Sequence, residues 1–238
     1  MRRDTQHVLL LLLGGALLRI AADDTFLRYV RPSHRPLLVV AGVVMVGLAV
    51  VALLRDYRSE HGSGHEPGAG HDHGAVERGA PWLLLAPVLV IALVAPPALG
   101  ADAVALAGAG NAVVADADVF APLPPGAVVE LSVGEVVQRA AWDRSGSLDG
   151  REVLLTGFAV RRGAATDLAR LRVYCCAADA RVSRVRLDGD VGDLPPDTWV
   201  QVRGIVQPGS ATAATDFVPA LTVTAVRVVP APSSPYEY

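Results

Sequence analysis

The hydrophobic pattern changes character near residue 100: long unbroken apolar runs come before it, and short alternating ones after it. Three long runs stand out. The first is Val8 to Ala22, which reaches toward Leu27 if Arg19 snorkels to the interface. The second, Leu37 to Leu54, carries no charge and is flanked by Arg35 and Arg55. About 18 residues at about 1.5 Å each reach about 27 Å, close to the thickness of a bilayer's hydrocarbon core. The third is Trp82 to Leu99, with Trp82 where an interfacial anchor would sit and Pro87 and Pro96-Pro97 placed to kink or end it. A signal peptide competes for the first run, which opens on Arg2-Arg3 and is Leu-rich, but Ile20-Ala21-Ala22 makes a poor cleavage site. Ala103 to Ala115 is short, Gly-rich and holds Asn111, so it is not read as a span.

Beyond the third run the chain turns Ala/Gly/Pro-rich and reads as a linker over 101–130. Ser132 and Glu135 form a capping-box pattern that predicts a helix from Val133 to Trp142. Five short β runs follow: Glu152 to Arg161, Leu171 to Cys176, Ser183 to Leu187, Thr198 to Gln207 and Phe217 to Val229. Gly157 and Gly204 interrupt two of them, as bends or bulges do. Five strands with interior glycines suit a small, partly open barrel of the OB type. The expected fold is therefore membrane α plus β, three N-terminal transmembrane helices followed by a small OB-like β-barrel domain. Its expected parts are a transmembrane domain over 1–100 with spans near 8–27, 37–54 and 82–99, the linker, a β domain over 131–230, and a tail over 231–238 too Pro-rich for strand or helix.

Composition supports that division. The 238 residues are 52% hydrophobic and 19% charged, with a mean hydropathy of +0.39. Soluble domains are usually about a quarter charged, so the balance fits a membrane protein with an attached domain. A net charge of -3 makes no case for nucleic acid, and Arg181, Arg184 and Arg186 read as a solvated strand face. Aromatics are only 5%, which leaves Val, Leu and Ala to build the core. With the N-terminus inside, the cytoplasmic side would hold Arg2, Arg3, Arg55, Arg58 and Arg78, against Arg28, Arg31 and Arg35 outside. The positive-inside rule then places the protein in the cell membrane as a multi-pass protein with its C-terminal domain extracytoplasmic.

Chemistry concentrates in two places. Both cysteines, Cys175 and Cys176, are adjacent, with Asp179 close behind. On a strand, alternation would turn Cys175 inward and Cys176 outward. Thiols beside a carboxylate could ligate a metal, or the outer thiol could do redox chemistry; two small apolar fillers are the plain alternative. Two cysteines alone do not complete a tetrahedral zinc site. The second place is the loop from Glu60 to Gly74, where His61, His65, His71 and His73 are spaced by glycine and interleaved with acids. Such a loop could hold Zn²⁺, Ni²⁺ or Cu²⁺ loosely, or be a polar linker. No histidine lies beyond residue 100, and no Ser-His-Asp set, phosphate loop or carboxylate pair points to an enzyme.

Several stretches together resemble the YcgQ-like family, subunits of a two-component membrane permease. They are Arg28-Tyr29-Val30-Arg31-Pro32, Ala95-Pro96-Pro97-Ala98-Leu99-Gly100, Cys175-Cys176-Ala177-Ala178-Asp179-Ala180, Thr198 to Gly204, and Pro232 to Glu237. The Cys-Cys-x-Ala-Asp motif is the most specific of these. The resemblance implies an integral protein of the cell envelope, partnered in the bilayer by a multi-spanning YcgR-like permease. It also implies a link to zinc, which agrees with Cys175, Cys176 and Asp179 and with the loop histidines as candidate ligands read above from the residues themselves; the loop is the family's variable region, and nothing carries over there. The expected function is an accessory permease subunit. A structural anchor without metal and a membrane-anchored thiol redox protein using Cys175-Cys176 are the alternatives.

Overall fold

The computed structural model describes residues 3–60, 97–108, 110–111 and 120–238. The chain divides into two compact units: Met1–Phe26 with Pro32–Pro97, and Leu27–Arg31 with Ala98–Tyr238. The short segment Leu27–Arg31 thus leaves the first unit and belongs to the second.

In the first unit, α1 (Arg3–Ala22) and α2 (Arg35–Glu60) pack as an antiparallel pair. His7 faces Asp56 at 3.8 Å. The helices approach most closely where both have lost their side chains. A Cβ on Gly14 would meet the Gly42 carbonyl oxygen at 2.9 Å, and one on Gly42 would meet Leu18 Cγ at 2.8 Å. One helix among the described residues, Pro32–Arg58, is long and apolar enough to cross a membrane. Its large side chains are bare: Leu37, Val40 and Leu48 are 64%, 60% and 58% exposed. A face that apolar is unfavourable in water.

The expected set of three transmembrane helices is therefore corrected. The first run yields an apolar helix only 17 residues long, Gln6–Ala22, about 25 Å. It does not continue to Leu27, because Asp24 adopts φ 59° and Asp23 turns its carboxylate onto the Thr25 amide at 3.0 Å. That acidic pair is a stop signal that the hydrophobic reading passed over. Most of the third run, Trp82 to Pro96, lies outside the described residues.

The second unit is not the five-stranded barrel expected either, but a seven-stranded mixed sheet in the order β1-β2-β5-β6-β4-β3-β7. Its strands are β1 (Val128–Glu130), β2 (Glu152–Arg162), β3 (Ala165–Arg172), β4 (Arg181–Asp188), β5 (Trp199–Val206), β6 (Ala220–Val228) and β7 (Tyr236–Glu237). Because β2 pairs with both β3 and β5, the five central strands close into a ring, with β4 and β6 joined in parallel. β1 and β7 add parallel rungs to β2 and β3. Neither was legible in the sequence, since three-residue and two-residue strands leave no periodicity to read. The stretch read as a linker carries β1 and a short helix, α3 (Ala101–Leu106). The Pro-rich tail ends in a strand. Asn111 serves as a piece of borrowed backbone: its amide donates to the Arg184 and Phe217 carbonyls and its oxygen accepts from Arg184 N.

Helix α4 (Val133–Trp142) forms where the capping box put it, with Ser132 Oγ accepting from Glu135 N at 3.0 Å. Its Val133, Val136 and Val137 fill the ring against Val153, Leu155, Leu168, Val185, Val200, Val202 and Leu221. A second cluster gathers Phe158, Val160, Leu171, Val173 and Tyr236 with Val104 of α3. The cluster inside the ring is wholly aliphatic, as the low aromatic content required, and the unit's buried aromatics gather in the second.

The two interior glycines are close-approach sites. A Cβ on Gly204 would lie 2.5 Å from the Thr222 carbonyl oxygen, beside the bulge between Arg203 and Gly204, and one on Gly157 would lie 2.6 Å from the Ala169 carbonyl oxygen. Backbone cannot yield as a flexible side chain can. Gly204→Ala is expected to destabilise the chain by about 1–3 kcal/mol, read as a lower thermal midpoint in circular dichroism. An unchanged midpoint would show that the bulge relaxes freely.

Candidate functional site

The Cys-Cys motif sits in the connection between β3 and β4. β3 ends at Arg172, so the expected strand through Cys176 is corrected. A carboxylate ends it: Asp179 Oδ1 accepts from Tyr174 N at 2.9 Å, and Oδ2 accepts from Cys175 N at 2.7 Å and from Cys176 N at 3.4 Å. Amides that would have continued the ladder instead surround one anion. The chain then makes a single 3₁₀ turn, Ala177–Asp179, whose two alanines accept it easily, and β4 begins at Arg181.

Out of the strand, neither sulfur points into the core as alternation predicted. Cys175 is exposed and Cys176 half-buried, and both are free thiols. Their sulfurs stand 3.6 Å apart. Two thiolates bound at about 2.3 Å to a tetrahedral ion stand about 3.8 Å apart, so the pair already has the required bite. One ligand atom each from Cys175, Cys176 and Asp179 lies within 4.8 Å of the others. The structure thus brings together three of the seven candidate ligands. His61, His65, His71 and His73 lie outside the described residues.

Hydrogen bonding fixes the protonation of the ligand-free site. The Asp179 carboxylate beside the Cys175 thiol raises that thiol to about 11; the neighbouring Cys176, whose sulfur the Cys175 thiol approaches at 3.6 Å, adds to the shift. The same thiol and the backbone amides hold Asp179 down at about 2. The arrangement at neutral pH is a neutral thiol beside a carboxylate, the reverse of an activated thiolate. A divalent cation would reverse it, because a coordinating thiol loses its proton to solvent and the ion takes the proton's place.

Sequence reasoning missed the segment that flanks this turn. Val30 forms an antiparallel bridge with Cys176. Arg31 N donates to the Cys175 carbonyl at 3.2 Å, and Ala177 N donates to the Tyr29 carbonyl at 2.7 Å. From the tail, Tyr236 Oη donates to the Arg28 carbonyl at 2.8 Å and accepts from Leu99 N at 3.0 Å. The Arg31 guanidinium lies 5.8 Å from the Tyr238 ring centroid. Three stretches noted for the same family resemblance, around residues 28–31, 175–180 and 232–237, meet at one place. No local pattern could have shown it.

The DUF1980 N-terminal domain matches residues 5–109, and the DUF1980 C-terminal domain matches residues 142–238. No curated protein and no solved structure matches the chain.

The site's electrostatics set its reactivity. At pH 8 a thiol raised from 9.0 to about 11 holds about 100-fold less thiolate, and the greater nucleophilicity of the more basic sulfur recovers about 8-fold of that. Metal-free Cys175 should therefore alkylate about tenfold more slowly than an ordinary exposed thiol. Asp179→Asn should speed it. Mass-mapped iodoacetamide labelling checks both, and a Cys175 that labels at the ordinary rate would contradict the raised thiol pKa.

Proposed function

This chain belongs to the DUF1980 family, and we propose that it is a membrane-attached accessory subunit that offers a divalent cation, zinc foremost, to a multi-spanning permease. The observation that carries the reading is the convergence of Cys175, Cys176 and Asp179 on one exposed turn, with the sulfurs at the spacing of a zinc chelate. Three protein ligands leave a fourth position for water or for a donor from a partner. Structural zinc sites close all four positions, whereas sites that exchange ligands keep one open. An exposed three-ligand site suits a protein that receives an ion and passes it on. The bare apolar surface of Pro32–Arg58 supports attachment to a bilayer.

The donor set fits zinc in kind as well as spacing. Thiolate sulfur suits a borderline-soft ion, and Asp179 keeps acceptor capacity beyond its three amides. In this reading the chain's own residues do four things. Cys175 and Cys176 supply sulfur, Asp179 supplies oxygen and takes part in releasing the Cys175 proton, and the amides of residues 174–176 keep the carboxylate aimed. A thiol redox protein is the weaker reading, because a Cys175 thiol raised to about 11 is a poor nucleophile near neutral pH.

Full-length protein purified in detergent should retain zinc, measured by mass spectrometry of the metal. Cys175→Ser/Cys176→Ser should lose it, and deletion of Glu60 to Gly74 should keep it. Retention in the double variant with loss in the deletion would move the site to the histidine loop. Because both thiols must give up a proton, apparent affinity should rise by up to about a hundredfold per pH unit from 6 to 8. A tenfold rise per unit would leave one thiol in the ligand set, and a pH-independent affinity would remove both.

A further inference from the structure

The segment Leu27–Arg31 joins the last turns after α1 to the start of Pro32–Arg58, yet it folds with the C-terminal unit. Its docking site is the backbone of the Cys-Cys motif itself. The two hydrogen bonds that hold it, Arg31 N to the Cys175 carbonyl and Ala177 N to the Tyr29 carbonyl, straddle Cys176. This stretch of backbone therefore serves two masters: the Cys175 and Cys176 sulfurs belong to the metal position, and the Cys175 carbonyl and Ala177 amide belong to the strap.

From this shared backbone we infer that Leu27–Arg31 is a sensor strap, whose docking is thermodynamically coupled to ligation at Cys175, Cys176 and Asp179. The inference rests on the zinc reading above. Without metal, the amides of residues 174–176 are held from the side-chain side by the Asp179 carboxylate. Its ligand atoms spread over 4.8 Å, whereas sulfurs and a carboxylate oxygen on one zinc ion stand about 3.5–3.8 Å apart. Ligation draws them together and fixes the peptides from Cys175 to Ala177. The Cys175 carbonyl and Ala177 amide are then ordered before the strap arrives, so the strap docks at a smaller entropic cost. By linkage, whatever zinc adds to strap docking, strap docking adds to zinc binding.

Tyr236 is the positioning residue of this device. It is 2% exposed, and its hydroxyl fixes the Arg28 carbonyl at the strap's start while Leu99 N donates to it. It touches neither sulfur nor carboxylate. A metal effect on Tyr236→Phe would have to travel through the strap.

The test is hydrogen exchange by mass spectrometry on the full chain in detergent, with zinc alone as the probe. Zinc should slow exchange of the Arg31 amide about tenfold or more in the parent and leave it unchanged in Cys175→Ser/Cys176→Ser. Arg31→Pro, which removes the donor to Cys175, should weaken zinc binding by about the factor by which zinc slows exchange. Tyr236→Phe, a milder change that keeps the aromatic packing, should shift both readouts in the same direction. Zinc bound by the parent with Arg31 exchange unchanged overturns the strap and leaves the metal site standing. No zinc bound by the parent takes down the metal reading and the strap with it.

Discussion

The buried carboxylate of Glu237 is the interaction on which the C-terminal unit leans. Only about a tenth of that side chain meets solvent. Its oxygens accept from Val133 N at 2.9 Å and Gly134 N at 3.1 Å, the first amides of α4. An anion at that end of a helix meets both unsatisfied donors and the positive end of the dipole. Arg170 stands 3.8 Å away and rests on the Trp199 ring at 4.8 Å. The same residue's backbone pairs β7 with β3, with Val173 N donating to its carbonyl. Through that one position the tail is fastened to the helix that fills the ring, and Tyr236 and Tyr238 are carried to the strap.

Burial raises Glu237 above its ordinary value of 4.5, outweighing the amides and Arg170. A carboxyl raised on folding favours the folded state most below its unfolded pKa, and that contribution fades as pH climbs through the folded value. At neutral pH the charge therefore does not owe its place to net stabilisation. What it contributes is uniqueness of register, since a tail shifted by one residue would bury the carboxylate without its partners.

What could be read in the sequence follows how local each cause is. The α4 boundaries came from Ser132 and Glu135, three residues apart. Four of the five long strands came from alternation; the run read as Leu171 to Cys176 overlaps β3 (Ala165–Arg172) only at its end, and of the two interior glycines read as bends or bulges, Gly204 borders one. The failures are of two kinds, pairing between distant segments and carboxylates that claim nearby amides. β1 and β7 are short and owe their existence to β2 and β3. Asp23-Asp24 ended a helix that hydropathy alone extended. The site divides the same way: Cys175, Cys176 and Asp179 are near neighbours in sequence and were found together. Their exit from the strand was not, because it depends on which amides one carboxylate claims. Val30 and Tyr236 were invisible as partners, lying far from the cysteines along the chain.

That separation has a consequence in time. Tyr236 meets a carbonyl 208 residues before it, and Val30 meets Cys176, which lies beyond α2 and the first three strands. Parallel pairing of β4 with β6 and of β3 with β7 adds further distant closures, which form slowly. As the chain is synthesised, residues 27–31 emerge early and wait without a partner while α2 is made and everything after it follows. The thiol turn and its strap can be complete only after the final strand has been translated and has found β3. A chain stalled before β7 would carry the long apolar helix and both cysteines but not the finished junction. Assembly at this place thus reports that the chain has been built at least through Tyr236.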